Sequence, residues 1–127
     1  NRNVELLGKK NRADVGRIMS KARCVVVPSL FPETFGLAAA EAMSYGTPVV
    51  ASKIGALTEI VEESEGGILV DPKDTQGFLS AVRYICTSKT NSNDMGIKGR
   101  EYVKEHFSQN HSTDRLVDIY KNLVIGI

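Results

Sequence analysis

The chain has 127 residues, of which 42% are hydrophobic and 24% are charged, with 16 Lys and Arg against 15 Asp and Glu. This composition is typical of one folded domain with a core and excludes a disordered chain. A net charge of +1 gives no field that would attract nucleic acid, and no apolar run is long enough for a transmembrane helix.

Short apolar runs alternate with helical patterns along the chain. We predict four strands, at residues 4–7, 24–27, 49–51 and 68–70. We predict six helices, at residues 13–22, 36–45, 56–63, 75–87, 94–106 and 112–124. A polar linker is expected at residues 90–93. The run at 24–27 has no polar alternation and predicts a strand covered on both faces.

This alternation predicts an α/β fold, a Rossmann-like parallel sheet of about four strands with flanking helices and a helical C-terminus. Such a sheet binds ligands beyond the carboxyl ends of its strands. In this chain those ends are residues 8–11, 28–34, 52–55 and 71–72. So few strands favour a piece of a larger protein, with a compact natural domain as the alternative.

The two cysteines, Cys24 and Cys86, have no second Cys or His at metal-ligand spacing. We interpret them as two buried, reduced thiols of a cytosolic protein rather than as a disulfide. No group of residues predicts a metal site.

The segment 28–43 carries two carboxylates close to the start of a predicted helix, Glu33 in the preceding loop and Glu41 inside the helix. The first amides of that helix form an anion site, which Gly36 allows a ligand to approach. A phosphate on these amides, with carboxylates accepting hydrogen bonds from hydroxyls, would suit a sugar nucleotide. Two simpler explanations stay open: Glu33 favours the helix dipole, and Glu41 is an exposed surface residue.

The same segment resembles the C-terminal, donor-binding domain of retaining glycosyltransferases with the GT-B fold, of the family 4 type. Glu33 and Glu41 match the Glu-x7-Glu motif of that family, with Phe35 and Gly36 between them. Further agreement lies at residues 41–43, 46–51, 59–61, 67–72 and 107–120. Where many relatives have Gly-Gly after a strand, this chain has Gly55 and Ala56.

The resemblance implies a role for each matching residue. Glu33 is the expected catalytic residue and contacts donor-sugar hydroxyls, and Glu41 holds the ribose hydroxyls of the nucleotide. The remaining expected donor-binding residues belong to the same motif or to the loop that lines the base: Thr34, Phe35, Gly36, Leu37, Gly8, Lys9 and Asn11.

The resemblance also describes a whole enzyme. Residues 1–127 would be a single nucleotide-sugar-binding domain, a fragment of a two-domain enzyme that transfers a hexose from a nucleotide diphosphate sugar to a hydroxyl acceptor. The fragment alone is expected to be inactive, without metal or other cofactor, and without a nucleic-acid partner. The acceptor-binding domain is missing, and membrane contact is expected only through it. A cytoplasmic location is expected, because nucleotide sugars are made there and the chain shows no export signal.

Two alternatives remain at this stage. The chain could be a catalytically inactive nucleotide-binding module, or part of another GT-B-fold enzyme such as a sugar-nucleotide epimerase. Dinucleotide-binding, P-loop and serine-hydrolase signatures are not found in the sequence.

Overall fold

A computed structural model describes residues 3–107 of the chain. In that range five helices and three strands alternate. The helices are α1 (Arg12–Lys21), α2 (Leu37–Ser44), α3 (Gly55–Ser64), α4 (Thr75–Thr87) and α5 (Lys89–His106). The strands are β1 (Val25–Val27), β2 (Val49–Ser52) and β3 (Gly67–Val70). The predicted helix at residues 112–124 lies outside the described residues.

The three strands form a parallel sheet in the order β1-β2-β3. Val25 pairs with Val49, and Val49 pairs with Gly67 on its other side. All four residues of the central strand β2 are buried, as expected for β-branched and small residues in a sheet covered on both faces. The predicted α/β fold with a parallel sheet is therefore confirmed.

Helices cover both faces of the sheet. Side chains alternate along β2, so that Val49 and Ala51 pack into one apolar cluster and Val50 into the other. The first cluster includes Met43 of α2, and the second includes Ile85 of α4. The sheet therefore forms the middle of three layers.

Two glycines let α5 lie directly against other backbone segments. A Cβ on Gly96 would stand 2.3 Å from the carbonyl oxygen of Gly46. A Cβ on Gly99 would stand 3.2 Å from the Cα of Gly66 and 3.1 Å from Cγ of Met43. Because of this close approach, α5 covers the apolar cluster to which α2 and α3 contribute.

The predicted strand at residues 4–7 is wrong. The segment is extended but pairs with no strand in the described part of the chain, and Leu6 is 95% exposed. A short apolar run becomes a strand only where a neighbouring strand satisfies its backbone hydrogen bonds. The sheet accordingly has three strands, not about four.

Two smaller expectations are also corrected. The polar residues 90–93 belong to the first turns of α5 rather than to a linker, because a helix that packs along one face tolerates polar residues on the other. The outer strand β1 is not covered on both faces, since Val26 is 42% exposed.

The expectation of two buried thiols holds only in part. Both cysteines are free. Cys24 is half-buried, whereas Cys86 is exposed because it lies in the last turn of α4, away from the face that carries Ile85.

Candidate functional site

The loop after β1 is joined to the start of α3 at the carboxyl end of the sheet. The backbone N–H of Ala56 donates a hydrogen bond of 3.1 Å to the carbonyl oxygen of Glu33. Gly55 has a φ of +55°, and a Cβ there would lie 3.0 Å from both the nitrogen and the oxygen of Glu33. The loops after the adjacent strands β1 and β2 are therefore in direct contact, as expected at the carboxyl end of a parallel sheet.

The Glu33 side chain is held by its own loop. The hydroxyl of Ser29 donates a hydrogen bond of 2.6 Å to Oε1 of Glu33, which is half-buried. A carboxylate has about four acceptor positions, so this bond orients Glu33 and leaves acceptor capacity for other hydroxyls. Sequence reasoning selected Glu33 but missed Ser29.

The start of α2 has an unusual cap. Its N-cap residue Gly36 is left-handed, with φ 60° and ψ 38°, and no side chain caps the helix. Asn11 caps α1 and Asp74 caps α4 through their side-chain oxygens, whereas α3 and α5, like α2, have no side-chain cap. The first-turn amides of α2 thus lack a side-chain acceptor, which is the arrangement that favours an anion.

Packing also explains why position 36 is a glycine, in addition to its expected role in ligand binding. It is buried, and a Cβ there would lie 2.8 Å from Cδ1 of Ile60 in α3. A positive φ also favours glycine. The residue therefore allows α3 to pack against the start of α2.

Glu41 lies one turn after Leu37 on the same face of α2, by the i, i+4 spacing of a helix. Its flanking residues Ala40 and Ala42 are buried, whereas Glu41 itself is half-buried. Within residues 3–107, no side chain pairs with its carboxylate by a hydrogen bond or an ion pair. Glu41 is neither an isolated buried acid nor a fully exposed one, and its carboxylate is available to a ligand.

The other motif residues are exposed at the surface. Thr34 is exposed, and so are the apolar side chains of Phe35 (45%) and Leu37 (64%). Leu30 and Phe31, in the same loop, are 53% and 79% exposed. An exposed apolar surface next to polar groups is typical of a binding site.

Residues 8–11, the loop expected to line the base, are exposed to solvent. Gly8 has a φ of +66° with no atom within 4 Å of a Cβ built there, and Lys9 is exposed. Asn11 is engaged: its Oδ1 accepts a 2.8 Å hydrogen bond from the N–H of Asp14. Among the described residues, no hydrogen bond joins residues 8–11 to Glu33 or Glu41.

The helix that follows this loop is fixed beside α2. The hydroxyl of Thr47 donates a 2.8 Å hydrogen bond to the carbonyl oxygen of Met19 in α1. A Cβ on Gly16 would lie 2.3 Å from the hydroxyl of Tyr45. These contacts place α1 against the end of α2 and fix the point from which residues 8–11 extend.

Ser52 is a further candidate that sequence reasoning did not single out. It is the last residue of β2 and fully buried, and its hydroxyl has no hydrogen-bond partner among residues 3–107. Buried hydroxyls normally have a partner. The available signal was a polar residue at the end of an apolar strand.

In residues 3–107, no three His, Cys, Asp or Glu side chains form a group that could hold a metal ion. The helices of that same region are all too short or too polar to cross a membrane.

The three strands, the loop of Glu33 and the helix of Glu41 all lie within a segment that matches the glycosyl transferases. The chain belongs to the family "Glycosyl transferases group 1", whose model matches residues 1–102. The resemblance drawn from the Glu33–Glu41 segment is confirmed at this level.

Individual relatives agree with the family. The chain is 33% identical over 118 residues to the D-inositol 3-phosphate glycosyltransferase of Nocardioides sp.. The aligned residues cover 93% of this chain and 25% of that protein. The chain thus spans about a quarter of the length of that relative.

Solved structures share the fold. A sucrose-phosphate synthase from Thermosynechococcus elongatus matches with a TM-score of 0.85 and 32% identity, over 100% of this chain and 32% of that one. The HepE protein of Anabaena, solved in complex with UDP-glucose, matches with a TM-score of 0.77 and 25% identity, over 87% of this chain and 30% of that one.

Proposed function

We propose that this chain is the donor-binding, C-terminal part of a retaining glycosyltransferase of the family 4 type. The whole enzyme transfers a hexose from a nucleotide diphosphate sugar to a hydroxyl acceptor on a glycan, a lipid or a small glycoside. A separate domain of the whole protein binds the acceptor. The reaction needs no metal or other cofactor and takes place in the cytoplasm, where the donors are made.

One arrangement carries the proposal: the uncapped start of α2, which lies between a carboxylate fixed in the preceding loop and another on the next turn of the helix. Gly36 is the N-cap, and no side chain caps the α2 amides. Glu33 is oriented by Ser29, and Glu41 has no partner in the described part of the chain. These groups suit the diphosphate and the hydroxyls of a sugar nucleotide.

The role of each group follows from its place. The α2 amides bind the diphosphate, and they act most strongly when negative charge develops on it as the leaving group departs. Glu33, held in one orientation, accepts hydrogen bonds from the sugar hydroxyls and positions the sugar. Glu41 accepts from the ribose hydroxyls. The exposed apolar surface of Phe35 and Leu37 borders the sugar and the acceptor side.

A solved structure of the same fold supports UDP-glucose as the donor. The HepE structure is a complex with UDP-glucose, and this chain matches its fold over 87% of its length. We therefore choose UDP-glucose as the first donor to test.

The test is an assay of the full-length protein with UDP-glucose and a panel of hydroxyl acceptors, in which the anomeric configuration of the product is determined by NMR. Transfer with retained configuration supports the proposal. Inversion, or epimerisation of the donor without transfer, contradicts it. Nucleotide binding without turnover by the full-length protein would identify an inactive binding module.

The two carboxylates are distinguished by separate variants. Glu41→Ala is expected to weaken binding of both UDP and UDP-glucose, whereas Glu33→Ala reduces discrimination between sugars and leaves UDP binding largely intact. Equal losses for UDP in both variants would contradict this division of roles.

A further inference from the structure

The segments that carry Cys24 and Cys86 meet at the amino end of the sheet, on the side opposite to the candidate donor site. Cys24 immediately precedes β1, and Cys86 lies in the last turn of α4. The two residues are far apart in the sequence, and the fold brings them together.

Two contacts hold these segments together, a hydrogen bond and apolar packing. Nη2 of Arg23, the residue before Cys24, donates a 2.9 Å hydrogen bond to the backbone oxygen of Cys86. Cys24 packs against the apolar cluster that contains Ile85, the residue before Cys86. The start of β1 and the end of α4 are therefore in contact where the two cysteines lie.

The Cys24 thiol is the more buried of the two. Burial raises the pKa of the Cys24 thiol, and the Cys86 thiol raises it further through charge repulsion and a hydrogen bond between the side chains. Cys86 is exposed, whereas Cys24 is half-buried. One thiol is thus open to a reagent in solution, and the second lies behind it.

We propose that Cys24 and Cys86 are a reversible oxidation site that closes an intramolecular disulfide. The oxidant is a low-molecular-weight disulfide such as glutathione disulfide. The Cys86 thiolate attacks one of its sulfurs, which forms a mixed disulfide and releases one glutathione thiolate. The Cys24 thiolate then attacks Sγ of Cys86, which closes the protein disulfide and releases the second glutathione.

The step balances: the protein loses two electrons and two protons, which end on the two glutathione thiols. Exposed Cys86 makes the first attack because the oxidant can reach it. Cys24 makes the second, at a rate that increases with pH, because its raised pKa keeps the thiol protonated at neutral pH. The product ties the start of β1 to the end of α4, and a bond across so long a loop restricts the unfolded chain.

The test treats the full chain with glutathione disulfide and maps the tryptic peptides by mass spectrometry. Trypsin produces peptides 24–53 and 84–89, each with one cysteine. We expect these two peptides to be linked, two hydrogens lighter than their sum, and to separate when a dithiol reductant is added. The oxidised chain should melt at a higher temperature than the reduced chain.

Three variants make the result specific. Cys24→Ser should stop at the glutathione adduct on Cys86, and Cys86→Ser should leave Cys24 mostly reduced. The matched control combines Cys86→Ser with Thr87→Cys, which moves the exposed thiol one residue along α4, to a different face of the helix. This control should carry glutathione without forming the link.

Two results would overturn the proposal. One is a wild-type chain that accumulates only the glutathione adduct on Cys86. The other is a Thr87→Cys control that links to Cys24 as readily as the wild type does, since the link would then come from general mobility and not from the native pair.

Discussion

Gly55 and Glu33 are in backbone contact, and this contact fixes the loop that carries the first motif carboxylate. A Cβ on Gly55 would lie 3.0 Å from the nitrogen and the oxygen of Glu33. The N–H of the next residue, Ala56, donates to that same oxygen at 3.1 Å. The start of α3 therefore supports the loop after β1, and the position of Glu33 depends on a residue of another strand's loop.

Gly55→Ala is expected to destabilise the chain by more than strain alone. A left-handed backbone costs a non-glycine residue about 1–2 kcal/mol, and the methyl group would also displace Glu33. Urea unfolding measures the loss. Gly8→Ala is the matched control, because Gly8 has a similar φ of +66° with open space around it. Equal losses in the two variants would show that the Glu33 contact contributes nothing.

Ser29→Ala is expected to weaken binding of UDP-glucose more than binding of UDP. The lost bond is a hydrogen bond to a carboxylate, of a kind that contributes about 1.5–3 kcal/mol, and without it Glu33 samples other orientations. Calorimetric titration with both ligands measures the difference. Ser20→Ala, which removes an exposed hydroxyl of α1 that donates to Arg17, should change neither affinity. An equal loss for UDP and UDP-glucose would contradict the role given to Ser29.

Asn11 has a structural role that can be separated from the proposed contact with the base. Asn11→Ala should lower the free energy of unfolding by about 1 kcal/mol, because the cap of α1 is lost. Asn11→Asp preserves the cap and should keep that stability. If Asn11 also contacts the base, Asn11→Asp weakens nucleotide binding in the titration despite normal unfolding. Unchanged binding would restrict Asn11 to capping.

Gly96→Ala tests the close packing of α5. In an isolated helix the change would add about 1 kcal/mol of stability. Here the new Cβ would lie 2.3 Å from the Gly46 oxygen, so we expect a net loss of about 1–3 kcal/mol. Asn93→Ala, at an exposed position of the same helix, should be neutral or stabilising. A stabilised Gly96→Ala chain would contradict the packing described.

Much of this fold could be predicted from local signals. The bounds of α4 agree with the predicted helix at 75–87, because Asp74 provides a cap and apolar residues recur along one face. Residues 49–51 were predictable as a buried strand because the run is apolar throughout. The prediction failed at residues 4–7, where three of the four residues are apolar but no strand lies beside them among the described residues.

The candidate site was only partly predictable for a related reason. Glu33, Glu41 and the helix start are adjacent in the sequence, so spacing and resemblance could find them. The residues that position Glu33 could not be recognised in this way. Gly55 lies far from it in the sequence, beyond β2. Ser29 is close in the sequence, but nothing distinguishes it from the other serines of the chain. Contacts between distant segments depend on the packed fold, which periodicity does not report.

The central claim is that the start of α2 and Glu41 bind a nucleotide sugar. The most direct test is an NMR titration of the 127-residue chain and its Glu41→Gln variant with UDP and UDP-glucose, with Glu105→Gln, an exposed position in α5, as the control. We predict shifts at Glu33–Glu41 in the wild type and the control. Glu41→Gln should bind at least about tenfold more weakly, as expected for the loss of a charged hydrogen bond. Equal affinity in wild type and Glu41→Gln would contradict the claim.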